Sequence, residues 1–396
     1  ASGAGLLVCF LSYVNLIKTG CRNDPLVPAD LTLLREALTA TQEYALDLHL
    51  PVLAVLLLAV LMVAAGGLFL RCPRLKLPFR LVGAAAAALA FVLSVSCIYT
   101  SDALYARLLP EVDRANVPLT YESCGFPYCF LANYGRYTVQ KPVDYFPEEV
   151  ERWAQADEKV YTVSETQPNV IFVMCEAFSD LSDSGVFTDS PEDDPLRGFH
   201  ALAASDRAVS GKLVVNNFGA GTANTEFDVL TGIQTAQLGV NSAFRAVRRN
   251  LNSLPRAFAR AGYERFFLHP GYAWYYNRES VYPFLGIDDC IFEDAFGAED
   301  YKGPTVSDAA FLRVLTAELD ARLQQDTPVF AFSVTIQNHQ AYTAQKYGEV
   351  PPAQVSVPLT EAESETLSVY LQGVRDSSEM LTQLAAYLDG VDKPTI

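Results

Sequence analysis

NVIFVMCEAFSD, residues 169–180, runs through consecutive apolar side chains and then meets a carboxylate, Glu176. A short unbroken apolar run with polar flanks reads as a buried strand of a parallel sheet. Glu176 then stands at the carboxyl end of that strand, where open α/β sheets bind their ligands. Burying an unpaired carboxylate is costly, so Glu176 is either solvated at the strand end or held against a cation. The second decisive stretch is FGAGTANTEFDVLTG, residues 218–232, in which Thr222 lies between a glycine-rich turn and a helix start. A helix N-terminus offers backbone N–H groups and a positive dipole end, both suited to phosphate oxygens. Threonine becomes a useful nucleophile only when a base or a metal favours its alkoxide. Position alone leaves a competing role, with Thr222 or Asn224 capping the helix. Glu226 and Asp228 read as charges placed to suit the helix dipole.

Around these two stretches, apolar runs alternate with helical ones. KLVVNNF (residues 212–218), YERFFLH (263–269), CIFE (290–293) and PVFAFSVTI (328–336) read as further strands, and residues 225–230, 254–261, 307–324 and 361–388 as helices. The alternation predicts an α/β domain over residues 169–396, with a mostly parallel central sheet flanked by helices. KPTI, residues 393–396, reads as the opening of one more strand, so the sequence is expected to continue in a longer protein.

Upstream the character changes. Residues 50–70 and 81–101 contain no charged residue, and each is about the length that crosses a hydrocarbon core. Residues 1–17 form a shorter apolar run that starts without methionine, which again points to a cut inside a longer chain. The loop between the two long runs carries Arg71, Arg74, Lys76 and Arg80 and no acid, marking it as cytoplasmic. Residues 18–49, with three basic and five acidic residues, then fall outside. A transmembrane helical region over residues 1–101 follows, with an outward-facing connector, residues 102–168, whose stretch 147–160 has a helical pattern.

The net charge is −17. A phosphate backbone needs a basic face, so nucleic acid is excluded as a partner. The eight cysteines show no zinc spacing, and only Cys124 and Cys129, in ESCGFPYCF, are placed to pair locally. Two of the four histidines stand at strand ends in polar company: His269 in FLHPGYAWYYNRE and His339 in SVTIQNHQAY. Arg278 follows Asn277 and the aromatics Trp274, Tyr275 and Tyr276, and its forked guanidinium suits phosphate oxygens. Each of these residues also has a plain reading as a satisfied polar group on a loop.

Taken together, the motifs resemble the lipoteichoic acid synthase and phosphoglycerol transferase family, within the alkaline phosphatase and sulfatase superfamily. NVIFVMCEAFSD looks like that family's first ectodomain strand, GTANTEF its nucleophile motif, HPGYAWYYNRESVYPFLGID its substrate segment and SVTIQNH the segment carrying a head-group histidine. YVNLIKTGCRNDPLVPADL, residues 13–31, is similar to a signature of its membrane domain. The resemblance implies an alkaline-phosphatase-like ectodomain that is extracellular on a multi-pass membrane protein. It makes Glu176 a metal ligand, Thr222 both ligand and nucleophile, and His269, Tyr276, Arg278 and His339 contacts to the head group. The implied metal is Mn2+, with Mg2+ as the alternative; the implied donor is phosphatidylglycerol, and the acceptor a glycolipid or polymer hydroxyl. The family's Asp-His ligand pair is expected beyond Ile396, so the site in this chain is expected to be incomplete and the chain inactive as it stands. Two departures stand out: Gly271 where well-characterised synthases have an acidic residue, and Tyr276 where they have tryptophan. A phosphoethanolamine transferase or phosphatase of the same superfamily, or a non-catalytic membrane sensor keeping the fold, remain the alternatives. A sulfatase needs Cys or Ser in a C-x-P-x-R setting, which TANTE lacks.

Overall fold

The computed structural model describes residues 2–22, 25–33, 50–69, 76–101, 103–104, 107, 117–134, 145–156, 166–187, 194–215, 217, 221–238 and 242–396. The basic loop 71–75, parts of the connector 102–168 and the glycine-rich turn 218–220 lie outside the described residues. The chain divides into two compact units, Ala1–Val139 with Leu238–Asn241, and Gln140–Gln237 with Ser242–Ile396.

The first unit contains the helices α1 (Ser2–Arg22), α2 (Leu50–Phe69) and α3 (Leu77–Ser94), the last continuing as a π-helical stretch Val95–Tyr99. Leu77–Tyr99, 23 residues, is long and apolar enough to cross a membrane, whereas Gly5–Gly20 and Leu50–Met62 are shorter apolar helices. The turn after α1 is tied by polar side chains. Asn15 Oδ1 accepts from the Leu26 amide at 2.7 Å, and Asp30 accepts from the Val27 amide and from Lys18 Nζ, each at 2.8 Å. Cys124 and Cys129 are unbridged, and the Cys129 thiol donates to the Thr120 carbonyl at 3.3 Å.

The second unit carries the α/β fold expected from the alternating pattern. Its strands are β1 (Val170–Met174), β2 (Glu264–Leu268), β3 (Asp289–Ile291), a separate antiparallel pair β4 (Tyr301–Lys302) and β5 (Thr305–Val306), and β6 (Val329–Val334). The main sheet has the order β1-β6-β2-β3 and every pairing is parallel, with Val170 opposite Phe330 and Glu264 opposite Val329. KPTI lies along the free edge of β1: Thr395 bridges Asn169 in parallel, and the Ile396 amide donates to the Asn169 carbonyl at 2.9 Å.

Three of the longer helices of this unit, those starting at Leu254, Asp308 and Glu361, begin behind a capping side chain; the longer helices follow in chain order. They are α4 (Pro147–Ala156), α5 (Arg197–Ala203), α6 (Thr222–Thr231), α7 (Leu254–Arg260), α8 (Arg278–Leu285), α9 (Asp308–Leu323) and α10 (Glu361–Leu388). Ser307 caps α9 by accepting from the Ala310 amide at 3.1 Å, and Thr360 with Glu363 forms a capping box on α10. The core packs Phe266, Leu268, Val329 and Ala331 of the sheet against Phe311, Leu315 and Leu319 of α9 and Met380 of α10. Each large side chain so buried contributes on the order of 1.5–3 kcal/mol relative to exposure.

One expected strand is not formed among the described residues. Residues 212–215 of KLVVNNF have no strand partner among the described residues, and Leu213 and Val214 are 82% and 90% exposed. β-branched side chains favour a strand only where a neighbouring ladder and a packed face receive them, and here both flanks of β1 are taken by β6 and residues 394–396.

Candidate active site

The carboxyl edge of the sheet gathers most of the residues singled out from the sequence. β1 delivers Glu176 just past its last residue, and the Glu176 amide donates to Thr335 Oγ1, at the end of β6, at 2.9 Å. The next residue, Ala177, has a φ of 47°. A left-handed alanine is strained, and such strain concentrates at functional sites. Asn338 Nδ2 donates to the Ala177 carbonyl at 3.4 Å, so the SVTIQNH segment braces the turn that carries Glu176.

Thr222 is the first residue of α6, and its Oγ1 donates to Glu176 Oε2 at 3.2 Å. The capping role falls elsewhere. Gly221, with a φ of 73°, is the N-cap residue, a conformation glycine adopts without steric cost. Asn224 accepts from the Ala243 amide at 2.8 Å, tying α6 to the following loop. The Thr222 hydroxyl is thereby left to the carboxylate of β1.

Glu226 corrects its reading as a helix-end charge. It is fully buried, and its carboxylate takes both Arg278 Nη2 at 2.5 Å and Arg278 Nε at 3.2 Å, with the Tyr282 hydroxyl donating at 2.6 Å. Burial opposes the Arg278 charge, and the Glu226 carboxylate outweighs it, so Arg278 is held protonated. Two of the three guanidinium nitrogens are therefore committed to Glu226. The third, Nη1, points to the Tyr275 carbonyl at 3.5 Å. Tyr276, at a φ of 56°, sets its ring 5.3 Å from the Arg278 guanidinium carbon.

His269 is buried, and its Nδ1 donates to the Val334 carbonyl at 3.0 Å, which leaves Nε2 as the acceptor nitrogen. Burial first, and then the Arg278 charge, push its pKa well below the usual histidine value, so the ring is neutral. Gly271 sits directly over this ring: a Cβ there would stand 2.4 Å from Nε2. Any side chain at 271 displaces the imidazole, a physical account of the glycine at this departure. His339 is half-buried, and its Nδ1 donates to the Gln340 carbonyl at 2.7 Å, so Nε2 is its open nitrogen.

Glu176 and Thr222 suit a hard divalent cation by their chemistry, since both present oxygen, one of them as a carboxylate. Among the described residues no cluster of three or more His, Cys, Asp or Glu side chains completes a metal shell.

Sequence reasoning passed over His200. Its Nδ1 lies 2.7 Å from Asp194 Oδ2 and its Nε2 3.0 Å from Asp180 Oδ2. Its partners come from loops with no local pattern.

The profile of the sulfatase family matches residues 168–396, and the chain belongs to that family. Among curated proteins it is 26% identical over 411 residues to the "Putative cyclic beta-1,2-glucan modification protein" of Rhizobium meliloti (strain 1021). That match covers 99% of this chain, which spans 62% of the length of the relative. Among solved structures, the integral membrane protein lipooligosaccharide phosphoethanolamine transferase A (EptA) of Neisseria meningitidis superposes over 100% of this chain and 69% of its own, with a TM-score of 0.51 and 13% identity. The Streptococcus pyogenes phosphoglycerol transferase GacH, in complex with sn-glycerol-1-phosphate, covers 65% of this chain and 69% of its own, with a TM-score of 0.48 and 21% identity.

Proposed function

We propose that this chain is the greater part of a membrane-bound phosphoglycerol transferase, moving glycerophosphate from phosphatidylglycerol to a glycolipid or polymer hydroxyl. The observation that carries the reading is the 3.2 Å contact of Thr222 Oγ1 with Glu176 Oε2 at the N-terminus of α6. In this reading residues 1–101 anchor the protein, 102–168 connect, and 169–396 form the catalytic ectodomain outside the cell membrane. The threonine argues against sulfatase chemistry, which requires Cys or Ser at the nucleophile. The name of the Rhizobium relative favours a glucan hydroxyl as acceptor.

In the first step Thr222 Oγ1 gives up its proton, which the leaving group takes, and attacks the phosphorus. An O–P bond forms, the bond from phosphorus to the diacylglycerol oxygen breaks, and that oxygen takes up the proton. In the second step the acceptor hydroxyl attacks the same phosphorus, and Thr222 leaves and regains its proton. Glu176 and Thr222 would hold the cation, Mn2+ or Mg2+, which when bound supplies Lewis-acid stabilisation of the phosphoryl oxygens and of the threonine alkoxide. The helix N-terminus contributes backbone N–H groups to the same charge. His339, through its open Nε2, and the ring of Tyr276 receive the glycerol end, while buried His269 and Arg278 form the wall behind them.

The test supplies membranes holding the full-length protein with labelled phosphatidylglycerol or phosphatidylethanolamine. Diacylglycerol release from the first is expected, and Thr222→Ala should lower it by at least about 10^3-fold. Release from phosphatidylethanolamine alone would reassign the head group; release from neither lipid would sink the transferase reading. Undiminished turnover in Thr222→Ala would exclude it as nucleophile.

A further inference from the structure

A second recess in the same unit is unused by the mechanism above. It is a cavity of about 580 Å³ between the loop that leaves β1, the start of α5, residues 351–354 and α10. That is within the usual size range of small-molecule sites. Its polar lining includes Asp180, Asp194, His200, Gln354, Gln372 and Arg375, and its apolar lining includes Leu181, Pro351, Pro352 and Leu371.

The polar groups are fixed in place. His200 is clamped between Asp194 and Asp180 at 2.7 and 3.0 Å. Asp180 Oδ1 also accepts from the Ser182 amide at 2.9 Å, and Asp194 Oδ1 from the Leu196 amide at 2.8 Å. Gln372 is oriented by Asp376 Oδ1 at 2.8 Å. Arg375 is the exception: half-buried on α10, it lines the cavity and makes no hydrogen bond or ion pair with any described residue. Its guanidinium donors are therefore free to meet a ligand oxygen in the cavity.

The chemistry selects among ligands. A phosphate or sulfate offers only acceptors, and here it would face the carboxylates of Asp180 and Asp194. A hydroxyl both donates and accepts, so a row of hydroxyls can satisfy carboxylates, amides and guanidinium together. The proline and leucine walls suit the C–H faces of a sugar ring. Asp180 follows Glu176 by four residues on the same loop, which ties the cavity to the turn that meets the nucleophile.

We infer that this cavity is a saccharide-binding subsite that receives the acceptor glycan; its assignment to the acceptor rests on the transferase reading above. The probe is a β-1,2-linked glucose disaccharide, titrated into the full-length protein in detergent and followed by calorimetry or ligand-observed NMR. Saturable binding with a dissociation constant near about 1 mM is expected. Arg375→Ala should weaken it at least about tenfold, and Gln354→Ala, at an exposed position, at least about threefold, with thermal melting checked for each. No binding up to about 20 mM, binding equal in wild type and both variants, or displacement of the disaccharide by inorganic phosphate would overturn the inference. The two readings fail separately. Arg375-dependent binding without lipid cleavage leaves the saccharide site and removes the transferase; lipid cleavage without Arg375-dependent binding does the reverse.

Discussion

Helix α3 and strand β6 are both apolar runs, yet they end in opposite environments. None of the residues of α3 is buried, whereas all six of β6 are at most 1% exposed. The difference lies in how each element satisfies its backbone. A helix closes its hydrogen bonds internally and can leave its whole side-chain surface to lipid. A central strand depends on ladders to both neighbours, and β6 has them in β1 and β2. Hydropathy alone would not separate the two; length and backbone accounting do.

The strongest way to break that contrast is to place the same charge in each element. Ala331→Arg puts a guanidinium inside the sheet, and the α/β unit is expected not to fold, read as loss of protease resistance. Ala87→Arg puts it in the middle of α3, where it should cost about 2.5–3.5 kcal/mol of membrane insertion and leave the α/β unit protease-resistant. Equal damage from both, or none from Ala87→Arg in an alkaline-extraction assay, would mean that α3 does not meet lipid.

Ion pairs repeat the contrast on a smaller scale. Glu226 and Arg278 are 0% and 2% exposed, whereas the side chains of His200 and Asp180 are 37% and 34% exposed. Removing one partner of the buried pair leaves a charge without compensation, so Glu226→Ala should cost about 3–5 kcal/mol. Replacing both by apolar residues, Glu226→Leu with Arg278→Met, should recover much of that stability while losing turnover. A Glu226→Ala protein that melts like wild type would show that Arg278 finds another acceptor.

The sequence revealed what is short-range and withheld what is not. β1, β2 and β6 were legible because an apolar run between polar flanks is a local pattern, and α9 and α10 because each is a long helical stretch alternating with those runs. Glu176 and Thr222 were legible as candidates, one at a strand end and one at a helix start, but their contact spans 46 residues and no periodicity contains it. Glu226 was misread because its partner lies 52 residues on, beyond any helical spacing rule. Residues 212–215 of KLVVNNF were misread for the converse reason: their composition is that of a strand, and a strand exists only where another offers it a ladder.

The smallest effect belongs to the exposed cluster, and its sign is fixed. Hydrogen bonding to Asp180 first, and to Asp194, raises the His200 pKa above the ordinary histidine value even though partial burial opposes it. The protonated ring is therefore favoured in the folded state, and its contribution is fully present below the unfolded pKa, about 6.5. That contribution is lost as pH rises through the folded value. Solvent screening keeps it under about 1 kcal/mol. Melting temperature should therefore decline modestly from about pH 6 to pH 8, and His200→Gln should flatten the decline over that window. Glu226→Ala, which leaves the His200 cluster untouched, should keep the wild-type pH slope at a lower overall stability. A slope unchanged by His200→Gln would place the titrating group elsewhere and remove the distinction between a screened cluster and a buried pair.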